Sequence, residues 1–249
     1  MSKDWHLQSD NSQKSNTVSI YDAEGTFKVI EESILGLWKV VNNLTSIEAP
    51  KCDRYRVTIF GSARLRSDTP LYQGVKYLAS ELTLMGCDIV TGGGPGLMQA
   101  ANEGSVEADP SNQTQSIGIR VDLDFEQHAN PFIEQVYQHQ TFFTRLHHFV
   151  LLSNAFIVVP GGIGTALEAL MIWQLLQVRK LNQTPLIMVG DMWSELLTWA
   201  NKHMVDGEHS LAKAADMKIP QCASTFEEAV VLLREAHGEW LKGCELNVK

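Results

Sequence analysis

Apolar residues recur along this chain in two alternating patterns. Short runs rich in β-branched residues, such as 56–60 and 155–159, are typical of buried strands. Between them, apolar residues at helical spacing predict amphipathic helices. The predicted strands are 56–60, 88–91, 116–121, 155–159, 185–189 and 220–223, and the predicted helices are 27–47, 70–85, 141–153, 164–179, 192–203 and 225–241, with another starting near Pro95.

Strands that alternate with helices predict a single doubly wound, Rossmann-like α/β domain. We expect a mostly parallel sheet of six or seven strands with helices on both faces, within residues 17–249. The N-terminal helix, at about 27–47, has a broad apolar face that packs either on the domain core or on a second subunit. Residues 1–16 are polar and predict a flexible tail with Trp5 and Leu7 as its apolar anchors.

Glycine-rich turns follow three of the predicted strands. Glycine adopts backbone angles closed to other residues and lets a ligand approach the main chain, although such turns also serve tight packing. In a doubly wound sheet all three turns lie at the carboxyl ends of the strands, the edge where ligands bind. The candidate binding residues are Gly61, Ser62, Gly92, Gly93, Gly94, Met98, Gly161, Gly162, Gly164 and Thr165.

The third turn predicts an anion site. A helix that starts near Gly164 points free N–H groups and the positive end of its dipole at the turn, and Thr165 adds a hydroxyl donor. These groups suit a phosphate. ATP and dinucleotide sites are disfavoured, because no Lys follows the last glycine and the spacing is not Gly-x-Gly-x-x-Gly.

Glu168 lies one helical turn beyond Thr165 and admits two interpretations. It is a candidate catalytic carboxylate beside the predicted phosphate site. The Thr-x-x-Glu spacing is equally that of a capping box, in which the two side chains satisfy unpaired N–H groups at a helix start. Thr225 and Glu228 repeat this spacing at the start of the last predicted helix. Spacing alone therefore leaves both interpretations open.

Arg145 is the only fully charged residue of the predicted helix 141–153. A desolvated Arg among aromatic and aliphatic neighbours needs a partner, which a phosphate or the Glu168 carboxylate would supply. The alternative is a surface Arg whose stem covers apolar neighbours. For His147 and His148, which follow closely, we expect an exposed, solvated pair.

Composition narrows the choice of partners and compartment. The formal net charge of −9 and the pI near 5.3 disfavour sequence-independent nucleic-acid binding, which needs a basic face. The four cysteines form no Cys-x-x-Cys pair, and neither a signal peptide nor a long apolar span is evident. We therefore expect a cytoplasmic protein without membrane attachment, bound metal or cofactor.

The segment from Pro160 to Glu168 matches in full the Pro-Gly-Gly-x-Gly-Thr-x-x-Glu signature of the LOG-like family, long labelled lysine decarboxylase-like. Similar segments extend from about residue 55 to 190. This resemblance implies a nucleoside 5′-monophosphate phosphoribohydrolase that releases free base and ribose 5-phosphate from AMP or an N6-substituted AMP. It also implies Arg145 and Glu168 as catalytic residues, and at least a homodimer with helices 141–153 and 164–179 near the interface.

Several points qualify the resemblance. Leu146 stands where Lys is common in the family, so a non-catalytic protein that binds a nucleotide or another phosphate ligand is the alternative. The decarboxylase label has no support, because pyridoxal phosphate needs a Schiff-base lysine and no Lys lies between Lys76 and Lys180. Glu126 and Gln127 are weak candidates for contacts to the base or ribose.

Overall fold

The computed structural model describes residues 23–44, 53–122, 129–182 and 184–247. The chain divides into two compact units, Met1–Glu48 and Ala49–Lys249. The first unit contains helix α1 (Ala23–Leu44), which begins before the predicted position of 27. The predicted tail at 1–16 and the candidates Glu126 and Gln127 lie outside the described residues, and the single domain over 17–249 stays a prediction.

The second unit is a seven-stranded sheet with helices between the strands. Its strands are β1 (Tyr55–Phe60), β2 (Cys87–Thr91), β3 (Ser116–Val121), β4 (Gln135–His139), β5 (Ala155–Val158), β6 (Leu186–Val189) and β7 (Gln221–Ala223). Its helices are α2 (Pro70–Leu84), α3 (Leu97–Ala108), α4 (Phe142–Leu152), α5 (Ile163–Gln177), α6 (Asp191–Ala200) and α7 (Phe226–Asn247). Every pairing between these strands is parallel, in the order β4-β3-β2-β1-β5-β6-β7. The predicted doubly wound α/β fold is therefore confirmed.

Two hydrophobic clusters cover the two faces of the sheet. Along β5 the side chains alternate, so that Ile157 enters one cluster while Phe156 and Val158 enter the other. The first cluster includes residues of α2, α3 and α7, and the second includes residues of α4, α5 and α6. Helices thus lie on both faces, as predicted. None of the helices within the described ranges is long and apolar enough to cross a membrane.

The strand β4 was not predicted. Its sequence, Gln-Val-Tyr-Gln-His, contains few apolar residues, and its side chains are exposed or half-buried. It pairs only with β3 and forms one edge of the sheet, which requires less burial than a central position. Its carboxyl end, His139, accepts a backbone hydrogen bond from the N–H of Asp122 (2.8 Å).

The order of the strands reverses between β1 and β5. From β1 the chain proceeds through β2 and β3 to one edge, and β5, adjacent to β1, leads to the other edge. In open α/β sheets the crevice at such a switch point, beyond the carboxyl ends of the strands, is where ligands bind. The first and third glycine turns follow these two strands.

Candidate active site

A cavity of about 550 Å³ opens at the switch point. The three glycine turns, the end of β3 and the facing sides of α4 and α5 contribute to its walls. All but two of the residues predicted for the site line this cavity, namely Gly61, Ser62, Gly92, Met98, Arg145, Gly161, Gly162, Gly164, Thr165 and Glu168.

Backbone hydrogen bonds join the first glycine turn to both of the others. The N–H of Ser62 donates to the carbonyl of Pro160 (3.2 Å), and the Ser62 carbonyl accepts from the N–H of Leu97 (2.8 Å). Gly96 has φ of 69° and lies so close that a Cβ there would collide with the Ser62 carbonyl oxygen. Only glycine fits this approach without strain. Backbone hydrogen bonds therefore hold the three turns together at the cavity.

Gly93 and Gly94 do not line the cavity. The Gly93 N–H donates to the Thr91 hydroxyl (3.0 Å), and the Gly94 carbonyl accepts from Asn130 Nδ2 (3.0 Å). Gly93 has φ of 75°, and a Cβ there would come within 2.7 Å of Arg120 Cγ. These two glycines contribute to the shape of the turn without lining the cavity, and the structure gives no support to direct ligand contacts by them.

Helix α5 begins without a side-chain cap. Gly162 is the N-cap residue, and no described side chain bonds to the free N–H groups of the first turn. Thr165 is therefore the third residue of the helix and Glu168 the sixth, so the capping-box interpretation of this pair is wrong. At the start of α7 the same spacing does cap, since the Glu228 N–H donates to the Thr225 hydroxyl (3.2 Å) and the Glu228 carboxylate accepts from the Ser224 N–H (2.7 Å).

Arg145 and Glu168 form a buried ion pair in the cavity wall. Arg145 Nη1 donates to Glu168 Oε1 at 2.9 Å, and each side chain is 11% exposed. Arg145 Nε donates to the carbonyl of Ile119 (2.9 Å), and its guanidinium carbon lies 5.1 Å from the centroid of the Phe149 ring. The interpretation of Arg145 as a surface side chain is wrong. Its orientation is determined by the strand, the helix and the carboxylate together.

Burial raises the pKa of Glu168 to about 7, and the adjacent Arg145 charge opposes this rise. Desolvation disfavours the charged form of a carboxyl group, whereas a neighbouring cation favours it. A carboxyl group with this pKa exists in both protonation states near neutral pH. It is therefore suited to accept a proton at one step of a reaction and return it at another.

Two cationic side chains at the cavity were missed by sequence reasoning. Arg64 follows the first turn and is exposed, and Arg120, in β3, is 8% exposed. The available signal was Arg120 itself, a charged residue inside an apolar strand that otherwise reads as core. The other cavity-lining residues absent from the prediction are Ala63, Val121, Phe142, Ile163, Ala166 and Met192.

The residues that follow Arg145 differ from expectation. Leu146 is 8% exposed and does not line the cavity. His147 and His148 are half-buried, and His148 Nδ1 lies 2.9 Å from Nε2 of His139. The prediction of an exposed, solvated pair is therefore wrong. Burial lowers the pKa of His148, and the nearby His139 and His147 lower it further by smaller amounts, so the neutral form of His148 is favoured.

Fold and cavity together define a doubly wound α/β protein with a cavity at the switch point of its sheet. The chain belongs to the LOG-like family, since the model of the family described as possible lysine decarboxylase matches residues 98–233, more than half of its length. The resemblance drawn from the glycine signature is thereby confirmed.

Relatives with assigned activities match part of the chain. The pyrimidine/purine nucleotide 5′-monophosphate nucleosidases of Escherichia coli K12 and O157:H7 are 27% identical over 140 residues, which is 54% of this chain and 30% of theirs. The aligned segment thus spans less than a third of these relatives' length. A distant relative is therefore a nucleosidase that acts on nucleoside monophosphates.

Solved structures share the fold. The molybdenum cofactor carrier protein of Chlamydomonas reinhardtii has a TM-score of 0.54 at 16% identity, covering 74% of this chain and 99% of that one. The molybdenum cofactor binding protein of Rippkaea orientalis has a TM-score of 0.55 at 19% identity, covering 74% and 98% respectively. At these identities the likeness establishes the architecture alone.

Proposed function

We propose that the protein is an N-glycosyl hydrolase, specifically a nucleoside 5′-monophosphate phosphoribohydrolase acting on AMP or an N6-substituted AMP. The observation that carries this proposal is the buried Arg145–Glu168 pair, 2.9 Å apart, in the wall of a cavity that also contains the uncapped start of α5. The Glu168 carboxyl suits proton transfer, and the uncapped start of α5 suits a phosphate. The distant nucleosidase relatives support the same class of reaction.

The phosphate would bind at the turn from Gly161 to Thr165. The free N–H groups at the start of α5 and the helix dipole both favour an anion there. Thr165 is 4% exposed, and its side chain packs against Gly161 so closely that a Cβ on Gly161 would collide with it. The donors of this turn are therefore held in place before the ligand arrives, which reduces the cost of ordering them.

Hydrolysis breaks the bond between C1′ of the ribose and a ring nitrogen of the base. The oxygen of a water molecule forms the new bond to C1′, the base leaves with the electron pair of the broken bond, and one proton of the water must be removed while one is delivered to the base. The sugar carries positive charge in the transition state, as in glycoside hydrolysis. The Glu168 carboxylate would stabilise that charge and accept the proton of the water.

The charges around the cavity are consistent with a phosphorylated ligand. Among the described residues that line it, three arginines, Arg64, Arg120 and Arg145, accompany a single carboxylate, Glu168. Arginine is well suited to phosphate because its planar donors match the phosphate oxygens. The absence of Lys at position 146 thus does not leave the cavity without cationic side chains, so it is no argument for the non-catalytic alternative.

The test is incubation of the purified protein with each nucleoside monophosphate and with adenosine, followed by chromatography of free base and ribose 5-phosphate. We expect release from AMP, or from an N6-substituted AMP, and far slower release from adenosine, because the remote phosphate supplies binding energy that is used at the glycosidic bond. Equal release from adenosine and AMP would contradict the proposal. Tight AMP binding without any turnover would select the binding-protein alternative.

We also propose that the protein is a homodimer through a surface on α4 and α5. Ile163, Leu167 and Leu170 follow one another at spacings of four and three residues, so they lie on one face of α5, and they are 89%, 50% and 47% exposed. Phe143 of α4 is 76% exposed. Contiguous exposed apolar surface is typical of a protein interface. Because Ile163 also lines the cavity, a partner at this surface would adjoin the site.

Light scattering coupled to size-exclusion chromatography tests the dimer. We expect twice the 27.7 kDa chain mass at micromolar concentration, and a shift to the monomer for Leu170→Glu. Leu241→Glu on α7 is the matched control, since Leu241 is 46% exposed against 47% for Leu170, and it should stay dimeric. A monomer mass for the wild type would exclude this assembly. Cytoplasmic location and the absence of nucleic-acid partners stay predictions.

A further inference from the structure

A buried polar network lies behind the second glycine turn. The Thr91 hydroxyl bonds to Asn102 Oδ1 (2.7 Å), Asn102 Nδ2 donates to the Ser116 hydroxyl (2.8 Å), and Asn130 Nδ2 donates to Asn102 Oδ1 (3.0 Å). All four side chains are buried. Polar groups removed from water are costly unless paired, so a fully paired network of this kind holds its members in one arrangement.

Besides Thr91, whose hydroxyl accepts from the Gly93 N–H, Asn130 is the member of this network that bonds to the turn itself. Its backbone N–H donates to the Gly93 carbonyl (3.1 Å), and its Nδ2 donates to the Gly94 carbonyl (3.0 Å) as well as to Asn102. Its Oδ1 accepts from the N–H of Phe132 (3.1 Å). Both amide hydrogens and the amide oxygen are thus used, and the side chain has one orientation that satisfies them all.

The Gly92–Gly94 turn sets the position of Arg145. Gly92 lies between Thr91 and Gly93, both of which are held by the network. Gly92 packs against the Arg145 guanidinium so closely that a Cβ on Gly92 would collide with Nη2. The other terminal nitrogen of the same guanidinium, Nη1, donates to Glu168. A displacement of the Gly92 backbone would therefore alter the room available to Arg145 and its alignment with the carboxylate.

We propose that Asn130 is a positioning residue for the hydrolase reaction. Asn130 fixes the Gly92–Gly94 turn, and this turn holds Arg145 against Glu168. This inference rests on the proposed function. Asn130 does not line the cavity, so it acts through Arg145 and not by contact with the ligand. The phosphate turn, from Gly161 to Thr165, lies on a different strand-to-helix connection and is not bonded to Asn130.

A positioning role and a purely structural role differ in what they change. A residue that only stabilises the fold lowers the melting temperature and leaves the folded site intact. A positioning residue also lowers kcat with little change in KM, because the Gly161–Thr165 turn and the Arg145 charge stay in the cavity while the alignment of Arg145 with Glu168 is lost. It further shifts the acid limb of the pH–rate profile to higher pH, since a displaced Arg145 opposes the effect of burial on the Glu168 pKa less strongly.

The experiment compares Asn130→Asp and Asn130→Ala with Thr83→Val. In Asn130→Asp a carboxylate oxygen faces the Gly94 carbonyl and Asn102 Oδ1 where the amide donated. Thr83 is the matched control, because it is 4% exposed and its hydroxyl donates to the Ser105 hydroxyl (3.0 Å), which joins α2 to α3. Thr83 lies in the last turn of α2, next to the amino end of β2, whereas the glycine turn follows the carboxyl end of β2. We expect both Asn130 variants to lose on the order of 10²-fold in kcat with AMP. Thr83→Val should retain the wild-type kcat and pH profile.

The outcomes separate this inference from the proposed function. If the wild type releases no base, the proposed function fails, and a carbon NMR titration of Glu168 in the wild type and Asn130→Ala still decides the role of Asn130. A higher Glu168 pKa in the variant supports positioning, and an unchanged pKa overturns it. Unchanged kcat and pH profile in folded Asn130 variants also overturn the inference, as does failure of both variants to fold, which would make the role structural.

Discussion

Replacement of Glu168 by Gln is expected to lower kcat for AMP on the order of 10²-fold or more. Gln has the size of Glu and can still accept a hydrogen bond from Arg145, but it cannot take a proton from water. Because Gly162 and not Thr165 caps α5, the substitution removes no cap. Steady-state kinetics with AMP measure the effect, and comparable rates for the variant and the wild type would remove Glu168 from the mechanism.

The pH dependence supplies the control for this substitution. Since burial raises the pKa of Glu168 to about 7, the wild-type kcat/KM should fall tenfold per pH unit below that value, and the residual rate of Glu168→Gln should lack this limb. The folded-state pKa exceeds the unfolded value of about 4.3, so ionised Glu168 costs stability increasingly as the pH rises from there to 7. The melting temperature of the Gln variant relative to the wild type should therefore rise between pH 5 and pH 8.

Arg145→Ala is expected to weaken both nucleotide binding and turnover. The variant leaves the Glu168 carboxyl buried without its cation, so its pKa should rise further and less carboxylate should be present at pH 7. Removal of one partner from a buried ion pair is also destabilising, by about 3 kcal/mol where the remaining group stays charged. Kinetics and urea unfolding at pH 6 and pH 8 measure the two effects, and the loss of stability should be the larger at pH 8.

Two further variants make the Arg145 experiment specific. Arg145→Lys keeps the charge but lacks the planar donors that reach both Glu168 and the Ile119 carbonyl, so it should recover stability more than turnover. Arg234→Ala removes an exposed Arg of α7 and should match the wild type in both measurements. An Arg145→Ala enzyme with wild-type KM and kcat would show that the ion pair has no part in the reaction.

The fold was predictable because its strands are buried on both faces. Burial of this kind leaves continuous apolar runs, as in β5 and β6, and glycine follows both runs near the carboxyl edge. Strand β4 escaped prediction for the converse reason. An edge strand with half-buried side chains needs no apolar run, so Gln135–His139 shows neither the alternation nor the composition of a strand in isolation.

The site was predictable in its backbone and less so in its side chains. The spacing of Thr165 and Glu168 could not distinguish a cap from a catalytic carboxylate, because the distinction depends on where α5 begins, which is Ile163 in the structure. Arg120 was hidden because a single charge within a buried strand is indistinguishable from a structural ion-pair partner. The network around Asn130 joins segments far apart in the chain, so only the folded structure brings it together.

The glycine N-cap of α5 links binding to folding. A Ser or Asp at position 162 would meet no atom within 4 Å at its Cβ, and a capping side chain stabilises a helix by roughly a few tenths of a kcal/mol relative to Gly at the N-cap. Such a side chain would also use the N–H groups that we propose for the phosphate. If the proposed phosphate binds at this turn, it completes the hydrogen bonding of the helix, and by mass action an anion that binds there should protect the fold against unfolding.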